Sequence, residues 1–146
     1  MNSTQHLEDA DAYAIATYLK AIPAKGPTKG QDSERASNPG HLSAGEITYT
    51  VHCGSCHLPT GQGDQVLGVA LAGNALVQAP DPASLIDVIL YGPRLPPPPF
   101  VSNRTRMKPF GKRLSDEDIA RLASYVRTSF GNQAGRVSNE QVSRQR

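Results

Sequence analysis

The chain has 146 residues, enough for one small domain with a tail but too few for a large enzyme with a deep substrate cleft. Aromatic residues make up only 5% of it and Trp is absent, so the predicted core is modest and a large flat cofactor could complete it. The net charge of +2 comes from both signs spread along the sequence, and the lack of a basic patch interleaved with aromatic residues argues against a nucleic-acid partner.

The N-terminal part predicts a helix followed by a linker. Residues 2–6 contain neither the basic nor the apolar region of a signal peptide, and no run in the chain approaches the ~20 apolar residues of a membrane span. Residues 8–20 predict a helix because apolar side chains recur at helical spacing from Ala12 onward. A proline ends this helix, and residues 24–41, which are rich in Pro, Gly, Lys and Ser, predict a flexible linker.

The central part predicts two helices separated by a glycine-rich loop. Residues 44–56 form a helical candidate that leads into both cysteines of the chain, and residues 58–81 predict a loop. Residues 82–91 predict a short helix with Asp81 as its N-cap. The following segment, residues 92–113, holds four consecutive prolines, which exclude regular helix there.

The C-terminal part predicts one well-capped helix and a tail. Ser115 is a favoured N-cap residue, and Asp118 follows it at the spacing of a capping box. Gly131 is a natural residue just beyond the C-terminus of this helix. Residues 132–146 are polar and predict a loose tail.

The first and last predicted helices repeat one pattern. When Leu7–Lys20 is aligned with Leu114–Arg127, identical residues meet at several positions, including Tyr18 with Tyr125. Two generic amphipathic helices would explain this similarity. The alternative is that each helix closes a domain of the same type, so that residues 1–23 hold the closing helix of a preceding, mostly missing domain.

Cys53, Cys56 and His57 form the Cys-x-x-Cys-His pattern of covalent c-type haem attachment. At the end of a helix, two cysteines three residues apart lie on nearly one side, so their thiols can form thioethers with the two vinyl groups of one porphyrin. The adjacent imidazole of His57 then falls over the iron as its proximal ligand. The sequence therefore predicts one haem c.

A Cys-x-x-Cys pair can also be a redox dithiol or half of a zinc site. A zinc site needs two further ligands, but the sequence has no second cysteine pair, and His6, His41 and His52 form no spaced pair downstream. A thioredoxin-type dithiol is expected in a βαβ setting, which the predicted elements do not offer. Haem attachment is therefore the favoured interpretation.

Met107 is the candidate distal ligand of the iron. It is the only methionine besides Met1 and lies fifty residues after His57, in an otherwise polar loop before the last helix. A buried Met is usually a packing residue, and that alternative stays open. A thioether ligand would raise the reduction potential and occupy the position where oxygen or peroxide binds, which favours electron transfer over catalysis.

Other residues are candidates for supporting roles. Gly45, one helical turn before Tyr49, would let another helix approach closely, and Tyr125 on the last helix is a candidate to lie there. Arginine matches carboxylates bidentately, so loop arginines could pair with haem propionates, although solvated loop arginines are equally expected. These arginines are Arg94, Arg104 and Arg106.

The pattern Gly45-x-x-x-Tyr49-x-x-x-Cys53-x-x-Cys56-His57, followed by Leu71–Asn74, Met107 and the last helix, resembles class I c-type cytochrome domains. More narrowly, Ala123–Asn132 resembles the end of the last haem domain in the three-haem cytochrome subunits of membrane-associated alcohol, aldehyde and gluconate dehydrogenases. The resemblance implies an all-α cytochrome c fold over residues 42–131, with three to five helices wrapped around one covalently bound haem.

The resemblance also implies a function. Such subunits accept electrons from a dehydrogenase catalytic subunit and pass them to quinone or a terminal oxidase, so the chain is expected to transfer single electrons and not to be an enzyme. Covalent haem attachment takes place in the periplasm, which is the expected location, and the parent protein could be membrane-associated. The missing signal peptide then indicates a fragment, a misplaced start or a broken gene.

Two features depart from the family pattern. Lys108 separates Met107 from Pro109, whereas the family places proline directly after the ligand, and the run Pro96–Pro99 is not a family feature. Two alternatives therefore stay open. One is a haem domain with an open or labile sixth position, suited to ligand sensing or haem catalysis. The other, which the missing signal peptide favours, is a haem-free remnant of a truncated cytochrome, in which the cysteines bind metal or form a local disulfide.

Overall fold

The fold is known from a computed structural model that describes residues 8–22, 42–64, 67–94 and 106–146. The described residues form seven helices and no strand, apart from an isolated bridge between Asp64 and Gly68. The predicted all-α class is confirmed. The helices are α1 (Asp9–Ala21), α2 (Ala44–His52), α3 (Gly54–His57), α4 (Ala75–Gln78), α5 (Ala83–Tyr91), α6 (Asp116–Thr128) and α7 (Asn139–Ser143).

The helix pair α2 and α6 forms the centre of the fold. The two backbones come close at Gly45, where an added Cβ would lie only 2.9 Å from the Cβ of Tyr125 and would also collide with the backbone of Arg121. The predicted approach of Tyr125 to Gly45 is confirmed. Only a residue without a Cβ fits there, because real Cβ atoms do not approach other atoms so closely.

The hydrophobic core joins this pair to α5. Helix α5 buries four apolar side chains, and α6 has a polar first turn followed by a buried apolar face. The burial of closely packed apolar side chains is the main source of stability in a small domain. The buried core residues of α5, of α6 and of the segment between them are Leu85, Ile86, Ile89, Leu90, Phe110, Ile119, Ala120, Leu122, Ala123 and Val126.

Helix α6 is capped as its sequence predicts. The hydroxyl of Ser115 accepts a hydrogen bond from the backbone N–H of Asp118 at 3.1 Å, and the Asp118 carboxylate accepts one from the Ser115 N–H. Beyond the helix, Phe130 and Gly131 both have positive φ, 59° and 79°, so the chain turns sharply there. This turn directs the following residues back across the loop after the cysteines.

Residues 132–146 are folded, which corrects the prediction of a loose tail. A capping box of Ser138 and Gln141 starts α7, and Val142 is fully buried in the core. The side chain of Arg146 donates to the carboxylate at the start of α6 and to nearby backbone carbonyls. The tail is polar in composition, but two buried valines, Val137 and Val142, and these terminal contacts are enough to dock it on α6.

Helix α1 differs from its repeat α6 in its surroundings. The predicted helix is present, but each of its residues is exposed, including Tyr18 and Leu19, whose counterparts in the repeat lie on a helix with a buried face. The prediction of a loop over residues 58–81 missed the single turn of α4. The predicted linker over residues 24–41 and the run Pro96–Pro99 lie outside the described residues.

Candidate haem site

The attachment segment is a tight continuation of α2. The N–H of Cys53 donates to the Tyr49 carbonyl at 2.8 Å, and the N–H groups of Cys56 and His57 both donate to the Cys53 carbonyl at 3.0 and 2.9 Å. Both cysteines are free thiols. Cys53 is the N-cap residue of α3 and Cys56 follows three residues later, a spacing at which helical side chains share a face, as two thioethers to one porphyrin require.

The Cys53 thiol is buried, whereas Cys56 is partly exposed. Desolvation, with a smaller repulsion from Cys56, raises the pKa of the Cys53 thiol to about 11. Reactive dithiols have a lowered cysteine pKa, because the thiolate is the nucleophile. The environment of Cys53 is therefore the opposite of that in a redox dithiol, one of the alternatives left open by the sequence.

His57 is held in one orientation by the loop that follows it. Its Nδ1 lies 2.8 Å from the Val69 carbonyl oxygen, to which it donates its proton, and its own carbonyl accepts from the Gly63 N–H at 2.9 Å. An imidazole that donates through Nδ1 keeps the lone pair of Nε2 free for a metal, and the carbonyl partner raises its basicity. The ring is therefore prepared for iron in position and in tautomer.

The loop passes unusually close to the attachment segment at Gly68. A Cβ added there would lie 2.7 Å from the Cys56 carbonyl oxygen and 3.2 Å from Nδ1 of His57. On either side of Gly68, Leu67 and Val69 are 44% and 54% exposed. Apolar side chains exposed beside an oriented imidazole and two thiols fit a large apolar group with an iron centre, so these residues are suited to haem c.

Tyr49 stabilises the attachment segment through a hydrogen bond and aromatic packing. Its hydroxyl donates to the Leu58 carbonyl at 2.6 Å, and Leu58 has a positive φ of 63°. The Tyr49 ring packs 5.5 Å from the ring of Tyr125 and 5.1 Å from that of Phe130, measured between centroids. Burial raises the pKa of the Tyr49 hydroxyl, so it remains a donor. The aromatic group fixes the exit of the chain from His57.

Met107 lies beside the C-terminal end of α5. It is partly buried against the hydrophobic core, and a Cβ added at Gly92 would be 3.1 Å from its carbonyl oxygen. Two backbone hydrogen bonds hold the residues after Met107 against α5. The Phe110 N–H donates to the Ile89 carbonyl, and the N–H of the residue after Phe110 donates to the carbonyl of the residue after Ile89. The position of Met107 is thus fixed by α5, and its role as an iron ligand stays a prediction.

The predicted propionate partners have different surroundings. Arg94 is exposed, lies 3.9 Å from the Asp87 carboxylate and sits 5.4 Å from the centre of the Tyr91 ring. Arg106 is exposed, and Arg104 lies outside the described residues. Neither contact of Arg94 points to a propionate, and the role of all three arginines stays a prediction.

Two buried polar residues near the site escaped the sequence analysis. Asn132, 1% exposed, binds the loop after the attachment segment, and Arg127, 2% exposed, donates to the carbonyls of Val77, Ala79 and Gly135 at 2.6–2.9 Å. Desolvation lowers the pKa of the Arg127 guanidinium. Both residues lie in the segment Ala123–Asn132 that carries the family resemblance, but that signal does not show what a polar side chain contacts.

Among the described residues, no three His, Cys, Asp or Glu side chains come together as a metal site. No helix among the same residues has the length and hydrophobicity needed to cross a membrane.

Comparison with known proteins decides the family. Residues 40–126 match the family described as cytochrome c oxidase, cbb3-type, subunit III. The chain belongs to this cytochrome c family. The match contains the attachment segment, α5 and most of α6, so the predicted cytochrome recognition and cytochrome c fold are both confirmed.

Similar proteins are cytochrome subunits of dehydrogenases. The chain is 36% identical to the cytochrome c subunit of alcohol dehydrogenase (quinone) from Gluconacetobacter polyoxogenes, over 99% of this chain and 32% of the relative. It is 34% identical to the gluconate 2-dehydrogenase cytochrome c subunit of Pantoea cypripedii, over 91% of this chain and 32% of that protein. It is 33% identical to the fructose dehydrogenase cytochrome subunit of Gluconobacter japonicus, over 97% of this chain and 34% of that protein.

The names of these relatives agree with the prediction of a cytochrome subunit that is not itself the catalytic dehydrogenase. The chain spans about a third of the length of each of them.

Proposed function

We propose that the chain binds one haem c and transfers single electrons. Thioethers at Cys53 and Cys56 attach the haem, and His57 and Met107 are its proximal and distal iron ligands. The observation that carries the proposal is the orientation of His57, whose Nδ1 proton is committed to the Val69 carbonyl at 2.8 Å, directly after two free thiols on one helical turn. This arrangement supports iron binding through Nε2.

Haem, when bound, supplies an iron that alternates between the ferric and ferrous states. The chain's own residues orient and protect it. Thioethers from Cys53 and Cys56 would prevent its loss, and the hydrogen bond from His57 to the Val69 carbonyl would keep the proximal ring from rotating. A thioether from Met107 would occupy the sixth position and exclude oxygen and peroxide, which suits electron transfer and not haem catalysis.

We further propose a place for the chain in a respiratory relay. It accepts electrons from the catalytic subunit of a dehydrogenase and passes them to quinone or a terminal oxidase. The support is that its relatives are named as cytochrome subunits of alcohol, gluconate and fructose dehydrogenases, one of them with quinone in its name. Covalent haem attachment belongs to the periplasm, which is the proposed location.

Helix α1 is proposed to close a preceding haem domain of the same type. Its support is the repeat between α1 and α6 together with the exposure of Ile15, Tyr18 and Leu19 on α1. Such a face normally packs against a partner. Hydrogen exchange in a longer protein with the preceding domain should then show protected α1 amides, and equally fast exchange with and without that domain would contradict the proposal.

Replacement of Met107 by Ala in the haem-loaded protein tests the ligand set. We expect Met107→Ala to lower the reduction potential, change the ligand-field bands and allow carbon monoxide to bind. Leu114→Ala is the matched control, because Leu114 is also partly buried against the core but has a side chain that cannot bind iron. The control should lose stability and keep the wild-type spectrum.

The outcomes separate the candidate functions. Unchanged ligand-field bands in Met107→Ala would contradict ligation by Met107. Rapid carbon monoxide binding by the unmodified protein would instead support a labile sixth position, the alternative favoured by Lys108 between Met107 and Pro109.

A further inference from the structure

We propose that Asn132 is a positioning residue for His57 and acts through residues 69–73, which we call the clip loop. The inference rests on the proposed function, because it assigns His57 to the haem iron. Asn132 follows the turn after α6 and is 1% exposed. Nothing in the attachment motif itself requires a buried amide at this position.

The Asn132 side chain joins the clip loop to the end of α6. Its Nδ2 donates to the Leu71 carbonyl at 3.0 Å and to the Val126 carbonyl at 2.8 Å. Its Oδ1 accepts from the N–H of Gly73 at 2.9 Å. Both donors and one acceptor site of the amide are therefore used, and two of the three bonds go to the clip loop.

The clip loop is held on its other side by Gly61. The N–H groups of Leu71 and Ala72 donate to the Gly61 carbonyl at 2.7 and 2.9 Å. A Cβ at Gly61 would lie 2.5 Å from the Phe130 ring, so this ring fills the space beside it. Residues 71–73 are thus fixed between the chain leaving His57 and the chain leaving α6.

The same loop carries the partner of the proximal imidazole. Val69 lies two residues before Leu71, and its carbonyl accepts the Nδ1 proton of His57 at 2.8 Å. A carbonyl stays at this distance only if its backbone cannot move away, and Val69 itself is 54% exposed. On the C-terminal side of Val69, the Asn74 side chain bonds the Ala70 carbonyl locally, and the bonds from Asn132 and Gly61 tie the loop to the rest of the fold.

The chemical consequence concerns the electron density at the iron. A hydrogen bond from Nδ1 to a carbonyl makes Nε2 a stronger donor, which stabilises ferric iron and lowers the reduction potential. If Asn132 keeps that bond short, then its loss should weaken the bond and raise the potential, without any change in the haem ligands.

The test compares variants of the haem-loaded protein. Asn132→Leu keeps a similar size but removes all three bonds to Leu71, Gly73 and Val126. Ser124→Ala is the control, because Ser124 is also buried but bridges α6 to Val137 on the side of α7. We expect both variants to lose stability. Only Asn132→Leu should raise the reduction potential and speed exchange of the His57 Nδ1 proton by about tenfold.

A measurement on the wild-type protein covers the case in which Asn132→Leu does not fold. Gly73 is an exposed residue, but its amide donates to Asn132, so we expect slow hydrogen exchange there, with the same dependence on denaturant as the Nδ1 proton of His57. Exchange of the Gly73 amide at the rate of a free amide would overturn the inference.

The remaining outcomes are also decisive. Covalent haem with an unchanged potential and unchanged Nδ1 exchange in Asn132→Leu would overturn the inference and leave the proposed function intact. A wild-type protein without covalent haem would refute the proposed function and this inference with it.

Discussion

The hydroxyl of Tyr49 donates to the carbonyl of Leu58 at 2.6 Å, across the whole length of the haem-attachment segment. Tyr49 precedes Cys53 by one helical turn, and Leu58 follows His57 directly. One hydrogen bond therefore joins the two ends of the segment that holds both cysteines and the proximal histidine. It accounts for the tyrosine in the Gly-x-x-x-Tyr pattern upstream of the motif.

Tyr49→Phe should lower the free energy of unfolding by about 1–1.5 kcal/mol, because it removes one of two donors to the partly buried Leu58 carbonyl, which keeps only the bond from the N–H three residues later. Tyr91→Phe is the matched control. Its hydroxyl donates to the carbonyls of Gln145 and Arg146 at an exposed site, where water can replace it, so we expect a loss below about 1 kcal/mol. Equal losses in denaturant unfolding of the two variants would contradict the assigned role of Tyr49.

The effect of Tyr49→Phe should also depend on pH. Burial raises the pKa of Tyr49 in the folded protein above the value of about 10 in the unfolded chain. The advantage of the wild type over Tyr49→Phe is therefore complete below about pH 10 and decreases at higher pH, by up to about 1.4 kcal/mol per pH unit. The test is denaturant unfolding of both proteins from about pH 8 to about pH 11, which runs from about two units below the unfolded pKa to about one unit above it. If the difference in unfolding free energy between the two proteins stayed constant over this range, Tyr49 would not be buried.

Gly68→Ala should disturb the haem site directly. The new Cβ would press on the Cys56 carbonyl and on Nδ1 of His57, so the loop must move away from the attachment segment. We expect a loss of about 1–3 kcal/mol in stability and a lower yield of covalent haem. Gly54→Ala is the control within the motif, because its Cβ would make only ordinary contacts at 3.7 Å and beyond. A wild-type haem yield in Gly68→Ala would contradict the close approach.

Gly45→Ala tests the packing of α2 on α6. The added methyl group would overlap the backbone of Arg121 and the Cβ of Tyr125, and the two helices must separate, which costs about 1–3 kcal/mol. At Gly135 an added Cβ meets nothing within 4 Å, so Gly135→Ala should stay within about 0.5 kcal/mol of the wild type. Thermal unfolding of both variants distinguishes the two sites.

Arg127→Lys should lower the free energy of unfolding strongly, although it keeps the positive charge. The Arg127 guanidinium reaches three carbonyls from its Nε and Nη1 atoms, a set that one ammonium group cannot span. We expect a loss of about 2–4 kcal/mol, because buried carbonyls lose their donors. Arg121→Lys on the same helix alters only an exposed pair with Glu117 and should cost less than about 0.5 kcal/mol. Similar denaturation midpoints for both variants would refute the buried role of Arg127.

Local features of this protein could be predicted from its sequence. The capping box at Ser115 and the end of α6 depend on residues within a few positions of each other, so the sequence pattern contains the whole interaction. The close approach at Gly45 was predictable for a different reason. A glycine at a helix position one turn before Tyr49 suits a crossing helix, and the amphipathic α6 is the helix that crosses there.

Other features depend on partners that the sequence places far away. Asn132 binds Leu71 and Gly73 across 61 and 59 positions of the chain, so no local pattern marks it. Helices α4 and α7 have only four and five residues, too few to show a helical period. The tail was predicted as loose because its composition is polar, although Val137 and Val142 are buried in the core.

The most direct test of the central claim is the mass and visible spectrum of the chain after export to a periplasm with haem-attachment machinery. A Cys53→Ser, Cys56→Ser double variant is the control. The account predicts one covalent haem on the chain, a sharp α-band after reduction, and neither in the control. Folded protein with both thiols free and no haem absorbance would contradict it.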